Sequence, residues 1–195
     1  MGKRRIVVTG IGAVSPLGCG IQYVWKQLIN GKCGISAVTE GTLQTKVYGR
    51  VPVGSEEHEF NPTRIFGRDI SKDHSNFIQY AMYASDLAIQ NANLKDFDQD
   101  RAGVALASGG LGSIEDVVAS SRNLDTSYKK LSPYFVPKVL GNMAAGHVSI
   151  RQKFRGPLHS AATACAAGSH AIGDACKSHS SCYYFDDSIL FVFTR

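Results

Sequence analysis

Residues Ala161 to Ala175 read AATACAAGSHAIGDA, and this stretch predicts a short strand that turns near Thr163 and enters a helix built from small residues. A single cysteine, Cys165, stands where the helix begins. The first amides of a helix have no internal partner and carry partial positive charge, so this position favours a thiolate over a thiol. The same amides can bind the oxygen of an acyl group held on the sulfur. The pattern therefore suits a covalent nucleophile.

Two glycines, Gly168 and Gly173, lie inside this predicted helix, where each costs about 1 kcal/mol relative to alanine. That cost is offset if another backbone approaches closely, so we expect a buried central helix. A lone cysteine among alanines also has a simpler interpretation as a small core residue. The residues alone leave both interpretations of Cys165 open.

Length and composition limit the class of protein. With 195 residues and 44% hydrophobic content, the chain is long enough for one globular domain with a real core. The formal charge is +5, but lysines and arginines are dispersed, which argues against nucleic acid and favours an acidic protein partner. The five cysteines form no close metal-binding pair, and their odd number argues against a secreted disulfide framework and favours a reducing compartment. No apolar run has the length of a membrane span.

Several motifs, in order along the chain, resemble those of the β-ketoacyl-[acyl-carrier-protein] synthases, the condensing enzymes of fatty-acid synthesis. The TACAAG segment at Thr163 to Gly168 resembles their nucleophile segment, and IVVTGIGAVSPLG at Ile6 to Gly18 resembles their opening strand and turn. Further resemblances are FIQY at 77–80, SPYFVP at 132–137 and NMAAGHVSI at 142–150. Together these motifs are most similar to the type II synthases of bacteria and mitochondria.

The resemblance implies an α/β fold, the N-terminal half of a thiolase-like layered fold (αβαβα), incomplete in this chain. Residues 1–175 are then a β-ketoacyl synthase N-terminal domain. Residues 176–195 do not resemble the family, and we expect this tail to be either one strand or disordered. Its apolar end, Ile189 to Phe193, has strand length and is a candidate for the family's next strand.

In such an enzyme Cys165 is the catalytic nucleophile that accepts an acyl group, and malonyl-carrier protein is then decarboxylated to a carbanion equivalent that attacks the thioester. The implied partners are an acyl carrier protein, acyl and malonyl thioesters, and a second copy of the chain in a homodimer; neither metal nor cofactor is expected. The family's two assisting histidines and a lysine come from its C-terminal half, which this sequence does not include. We therefore expect partial activity or none from this chain alone.

The resemblance also implies two further groups of site residues. The first borders the acyl pocket and the dimer contact, and consists of Gly109, Gly110, Leu111 and Phe135. The second docks the carrier protein and consists of Arg68 and Lys72, although Asp69 and Asp73 stand where positive charge is expected.

None of the histidines provides a general base by this reasoning. His170 lies five residues beyond Cys165, which rotates it off the face of the sulfur, so we interpret it as structural. The resemblance gives His147 and His159 no catalytic role. Polar surroundings place the other three, His58, His74 and His179, on the surface.

Two other functions remain open. The chain is alternatively a non-catalytic truncated product that is unstable or that binds a partner subunit or the carrier protein. A degradative thiolase fits less well, because the motif around Cys165 is closer to the synthases. The resemblance favours the mitochondrion, although this sequence contains no transit peptide, and otherwise the cytoplasm. Half of such a fold would expose a large apolar face, so we expect poor solubility or obligate association.

Overall fold

The computed structural model describes residues 6–38, 44–181 and 188–194, with the backbone alone for 179–181 and 188–194. The strands are β1 (Val7–Ser15), β2 (Gly18–Cys19), β3 (Ile35–Ala37), β4 (Val47–Gly49), β5 (Val104–Ala107), β6 (Leu158–Ala161) and β7 (Ser188–Thr194). The α-helices are α1 (Ile21–Ile29), α2 (Pro62–Phe66), α3 (Asn76–Ala92), α4 (Ile114–Leu124), α5 (Phe135–Val139), α6 (Met143–Gln152) and α7 (Ala167–Ser181). Short 3-10 turns cover Tyr128–Lys130 and Ala164–Ala166.

Three small sheets organise the described strands. β1 is central in the first, antiparallel to β2 and parallel to β7. β3 and β4 form an antiparallel hairpin, and β5 pairs with β6 in parallel. In the first sheet Val8 is paired with Ile189 and Ala13 with Phe193, so the apolar end of the tail lies beside the opening strand. This placement agrees with the strand predicted for Ile189 to Phe193.

Helix α3 is the centre of the core. Its buried side chains recur at helical spacing and include Ile78, Ala81, Ala84 and Ala88, none of which exposes any surface. The helix begins after Ser75 and ends at Asn93, whose positive φ of 51° is a common way to stop a helix. The spacing of apolar residues in the sequence predicts an amphipathic helix from Ser75 to Leu94 with this stripe in the core. Both the helix and its buried stripe are confirmed, although the helix ends two residues earlier, at Ala92.

Small residues let α3 lie directly on β1. A side chain at Gly12 would meet the backbone of Ala84 and come within 2.7 Å of the Ala88 nitrogen. Gly10 faces the next turn of α3 in the same way, because a Cβ added there would lie 2.8 Å from the Ala92 nitrogen. The two glycines of the opening motif are thus required by close contact between strand and helix.

An ion pair joins α6 to α3. The Arg151 guanidinium donates from Nε to Asp86 Oδ1 over 2.8 Å and from Nη2 to Asp86 Oδ2 over 2.6 Å. Gln152 donates to the same carboxylate over 2.7 Å and to the Ser85 hydroxyl over 3.1 Å. Such bidentate, partly buried pairs are stronger than ordinary surface pairs. They fix α6, and β6 follows α6 directly along the chain.

Some sequence expectations about burial are wrong. The apolar run that opens β1 predicts burial on both faces, but Val8 is 52% exposed, and burial starts only at Gly10. The spacing of Val24, Trp25 and Leu28 predicts one apolar face on α1, and Val24 is buried, whereas Trp25 is 60% and Leu28 51% exposed. An apolar pattern predicts which face of a strand or helix tends to be buried, but within the described residues little packs on these faces.

The small residues from Val136 to Phe154 predict a helical stretch, but the structure breaks it between α5 and α6. A side chain at Gly141 would lie 2.5 Å from both the Gly110 carbonyl oxygen and the Ser108 hydroxyl. Leu140 is extended and pairs with Leu111 in an isolated antiparallel bridge. The break therefore exists because this segment contacts the glycine-rich turn that follows β5, residues 108–113.

Candidate functional site

The ends of β5 and β6 bring two turns to one edge of their sheet. The strands run parallel with Ala107 opposite Ala161, and the Ser108 N–H donates to the Ala161 carbonyl over 2.9 Å. The glycine-rich turn starts at Ser108. The second turn, residues 162–166, starts just after Ala161 and contains Cys165, and is called the cysteine turn. Two segments that are some fifty residues apart in sequence therefore leave the sheet side by side. That separation is ample for the crossover connection that parallel strands require.

The cysteine turn has an unusual backbone. Ala164 has φ of 51°, in the left-handed region, which costs a non-glycine residue about 1 to 2 kcal/mol. The Ala166 N–H donates to the Thr163 carbonyl over 3.2 Å, which closes a 3-10 turn that contains Cys165. α7 begins immediately afterwards at Ala167, which is 3% exposed. Strained backbone at such a turn is typical of functional sites.

Cys165 is exposed to solvent, and so is half of α7 over residues 167–178. A side chain added at Gly168 or Gly173 would meet no described atom within 4 Å, outside the backbone of the helix itself. The expectation of a buried central helix is therefore wrong for the described part of this chain. Within that part no other element packs on the exposed face of α7. Because α7 is rich in alanine, glycine and serine, that face offers little apolar area for packing.

The residues implied for the acyl pocket lie at the neighbouring turn. Gly110 has φ of 129°, a conformation that favours glycine, and Leu111 is 63% exposed. The Gly112 N–H donates to the Val139 carbonyl over 2.7 Å, which ties the turn to the end of α5. Phe135 begins that same helix and is half-buried. The turn with Gly109 to Leu111 thus adjoins both the cysteine turn and the helix that carries Phe135.

The residues implied for carrier docking stand beside carboxylates. Arg68 donates to Asp73 over 2.7 Å, and this bond is the main reason why the pKa of the Asp73 carboxyl is lowered. Asp69 accepts the Ser71 N–H over 2.9 Å, and its pKa is lowered mainly by that bond and further by nearby Lys72. Lys72 itself is exposed. Each cation of this loop therefore has a carboxylate that offsets part of its charge.

Two histidines form a contact that the sequence did not predict. His74 Nε2 lies 3.1 Å from His147 Nδ1, and the side chain of His74 is only 13% exposed. Placing His74 on the surface is therefore wrong. Burial, with the neighbouring His74, lowers the pKa of His147 below its usual range, which keeps that ring neutral at physiological pH. No pattern in the sequence joins residues 73 positions apart, so this contact could not have been found from it.

The other histidines differ in their surroundings. His58 is half-buried and stacks on Tyr23 with the ring centres 3.9 Å apart, and His159 is exposed on β6. His170 Nδ1 lies 2.7 Å from the Thr163 hydroxyl, so the structure links this histidine to the cysteine turn. The side chain of His179 lies outside the described residues.

Four described cysteines are free: Cys33 and Cys165 are exposed, Cys176 is half-buried, and burial raises the pKa of the Cys19 thiol to about 11. The described residues contain no cluster of three or more His, Cys, Asp or Glu side chains suited to a metal ion. None of the helices in the described ranges combines the length and apolar character needed to cross a membrane.

The cysteine turn thus lies between a parallel strand and a helix rich in small residues, beside the glycine-rich turn. The chain belongs to the β-ketoacyl synthase family: the model of the family's N-terminal domain matches residues 3–180. The resemblance seen in the sequence is thereby confirmed.

The individual relatives carry more specific names than the family model does. The chain is 42% identical to the mitochondrial 3-oxoacyl-[acyl-carrier-protein] synthase of Arabidopsis thaliana, in a match that covers 89% of this chain and 41% of the relative. It is also 42% identical to 3-oxoacyl-[acyl-carrier-protein] synthase 2 of Rhizobium meliloti, over 89% of this chain and 43% of the relative. The chain spans less than half the length of these curated relatives.

Solved structures share the fold. A β-ketoacyl synthase from Burkholderia phymatum matches with a TM-score of 0.72 and 24% identity, covering 91% of this chain and 43% of that one. The ishigamide ketosynthase/chain length factor matches with a TM-score of 0.76 and 21% identity, covering 92% and 45%. The predicted fold class, the N-terminal half of a thiolase-like α/β fold, is confirmed.

Proposed function

We propose that this chain supplies the acyl-accepting part of a 3-oxoacyl-[acyl-carrier-protein] synthase, with Cys165 as nucleophile. The observation that carries the proposal is the exposed Cys165 on a strained turn, at the sheet edge where the glycine-rich turn also emerges. The names of the relatives, which are synthases acting with acyl carrier protein, support it. Cys165 is here the catalytic residue because its sulfur touches the reacting carbon.

In the proposed first step, the Cys165 sulfur attacks the carbonyl carbon of an acyl thioester. The bond from that carbon to the carrier's sulfur breaks, the proton lost by the Cys165 thiol passes to that sulfur so that the carrier leaves as a thiol, and the acyl group remains on Cys165. The positive end of the α7 dipole lies at the cysteine turn, where it stabilises negative charge on the sulfur and on the tetrahedral intermediate. Because the charge is already oriented, no reorganisation is needed during the reaction.

The glycine-rich turn is proposed to accommodate the acyl chain. Gly109 and Gly110 have no side chain to block close approach to the backbone, and Leu111 presents an exposed apolar surface at the same sheet edge. Phe135, on the helix tied to this turn, is proposed to lie on the same side.

In the proposed second step of the whole synthase, malonyl-carrier protein loses carbon dioxide. The resulting carbanion equivalent attacks the acyl carbon on Cys165, which releases the Cys165 thiolate and forms the 3-oxoacyl product. The resemblance assigns the assisting histidines and lysine of this step to the C-terminal half of the family. Since the chain spans 41% to 43% of the two relatives compared above, the role proposed for its own residues is the acyl transfer.

The test is acyl transfer measured by mass. The purified chain is incubated with an acyl-carrier protein donor, and the modified residue is mapped by digestion and mass spectrometry. We expect one acyl group per chain, carried on the peptide that contains Cys165. An adduct on exposed Cys33 instead, or no adduct on folded soluble protein, would contradict the proposal and favour the non-catalytic alternative.

The proposed docking site for the carrier protein is the loop that contains Arg68 and Lys72. We expect Lys72→Glu to weaken affinity for an acidic acyl carrier protein about tenfold at low salt, because it places like charges opposite each other. Arg68 is expected to contribute less, since it is already bound to Asp73. Surface plasmon resonance with immobilised carrier protein measures the effect.

Lys95→Glu is the matched control for the docking prediction. Lys95 is equally exposed and lies beyond the opposite end of α3, roughly 25 Å from the docking loop along the helix. The two variants change the net charge equally, so they separate local docking from long-range attraction. Equal affinities for both variants, or a loss that persists at about 1 M salt, where screening reaches about 3 Å, would count against this docking site.

Association is proposed through the free edge of β6. Among the described strands β6 pairs with β5 alone, and exposed Leu158 and Ile150 lie on β6 and the preceding helix, 43% and 75% exposed. Unpaired strand edges with apolar neighbours favour pairing with another copy. We expect sedimentation of the chain as a dimer or larger species, reduced by Leu158→Asp but not by Val47→Asp on the distant hairpin. A monodisperse wild-type monomer would contradict this proposal.

The compartment is proposed to be the mitochondrion. The relatives from Arabidopsis thaliana and Schizosaccharomyces pombe are both named mitochondrial synthases, which supports the proposal. Cell fractionation with an antibody to this chain tests it, and recovery with cytosolic markers would overturn it.

A further inference from the structure

A hydrogen bond connects the cysteine turn to the helix that follows it. The Thr163 hydroxyl and His170 Nδ1 are 2.7 Å apart, and the two residues bracket Cys165 in the sequence. The Thr163 carbonyl accepts the Ala166 N–H over 3.2 Å. Thr163 is therefore held twice, through its backbone by the turn and through its side chain by α7.

This link matters because little else holds the turn. Residues 162–166 are all exposed, so within the described chain packing does not fix them. Ala164 is kept at a φ of 51°, a conformation that relaxes unless surrounding contacts over-determine it. By contrast, Ala167 is 3% exposed and Ala171 8%, so α7 itself is anchored on the protein. His170 sits on this anchored helix and reaches back to the strained turn.

We propose that His170 is a positioning residue, which holds the turn from Thr163 to Cys165 in the conformation that places the sulfur at the start of α7. The inference rests on the proposed role of Cys165 as nucleophile. His170 acts through Thr163, so it is not a catalytic residue. Either ring tautomer serves, because the hydroxyl donates to an unprotonated Nδ1 or accepts from a protonated one.

The test compares two thiols in the same molecule. Iodoacetamide alkylates the exposed thiols of Cys165 and Cys33, and peptide mass spectrometry gives both rates at pH 7. A change in the ratio of the two rates reports on the cysteine turn alone, because general unfolding or a change in the reagent alters the alkylation rates of both cysteines. The variants are Thr163→Val, Thr163→Ser, His170→Ala and the double variant Thr163→Val with His170→Ala, each made in the full chain.

Loss of one hydrogen bond, which contributes about 1 kcal/mol net, predicts a ratio lowered about fivefold in both Thr163→Val and His170→Ala. Release of the turn moves the sulfur away from the positive end of the α7 dipole, which lowers its rate of alkylation. The double variant is expected to be no slower than either single variant, since both remove the same bond. Thr163→Ser keeps the hydroxyl and is expected to keep the ratio within about twofold of the wild type.

His159→Ala is the control, because His159 is an exposed histidine on β6, whereas the described hydrogen bond of the Thr163 hydroxyl goes to His170. An unchanged ratio in Thr163→Val and His170→Ala, an equal loss in His159→Ala, or multiplied losses in the double variant would overturn the proposal. Alkylation needs no carrier protein, so the result is independent of the acyl-transfer test. A lowered ratio without acyl transfer overturns the proposed function alone, whereas acyl transfer with an unchanged ratio overturns the role of His170 alone.

Discussion

Cys165→Ala is expected to abolish acyl transfer to this chain, whereas Cys33→Ala is expected to retain it in full. Both cysteines are exposed thiols, so simple accessibility does not distinguish them. Cys165 lies two residues before the start of α7 and beside the glycine-rich turn, whereas Cys33 follows α1 in an exposed loop. The positive end of a helix dipole is thus present at Cys165, whereas Cys33 follows the negative, C-terminal end of α1.

The measurement is intact mass after incubation with acyl-carrier protein, in three proteins: wild type, Cys165→Ala and Cys33→Ala. Cys19 does not confuse the result, because burial raises the pKa of its thiol to about 11 and leaves it protonated at neutral pH. Both substitutions shorten an exposed side chain, so neither is expected to alter folding by more than about 0.5 kcal/mol. Retention of the adduct in Cys165→Ala would show that the turn is not the acyl acceptor.

Gly12→Ala is expected to destabilise the chain by about 3 kcal/mol or more, at the upper end of what overpacking costs. The added methyl would lie 2.7 Å from the Ala88 nitrogen and 2.9 Å from the Ala84 carbonyl carbon. These are backbone atoms of α3, so relief requires that the whole helix move off β1. Since small domains are stable by only about 5 to 15 kcal/mol, the loss is a large fraction of the total.

Gly146→Ala is the matched control for this effect. Gly146 lies inside α6, and a methyl group there meets no described atom within 4 Å outside the helix backbone. Alanine is the better helix former, so this variant is expected to be up to about 1 kcal/mol more stable. Urea unfolding followed by circular dichroism compares the two. Equal midpoints would show that β1 and α3 are not in the close contact described.

The parts of the fold that local pattern controls were predictable from the sequence. The stripe of α3 was visible because its apolar residues recur every three or four positions, and tertiary packing then follows that face. The strand, turn and helix around Cys165 were also predictable, because the sequence changes there from an apolar run to a run of small residues. Residue type and position sufficed for both.

Burial and long-range contacts were not predictable in the same way. The exposure of α7 depends on what packs against it, and that information is absent from its own residues. The break at Gly141 arises from contact with Gly110, far earlier in the chain, which no periodicity reveals. The bond from His170 to Thr163 needs the left-handed turn at Ala164, which an alanine does not signal.

The pairing of β1 with β7 has a consequence for biosynthesis. Val8 is paired with Ile189, a partner that the ribosome adds roughly 180 residues later, at about 5 to 20 residues per second. β1 therefore waits roughly 10 to 35 s for this neighbour. During that interval the strand edge that β7 later covers is open to chaperones and to other nascent chains.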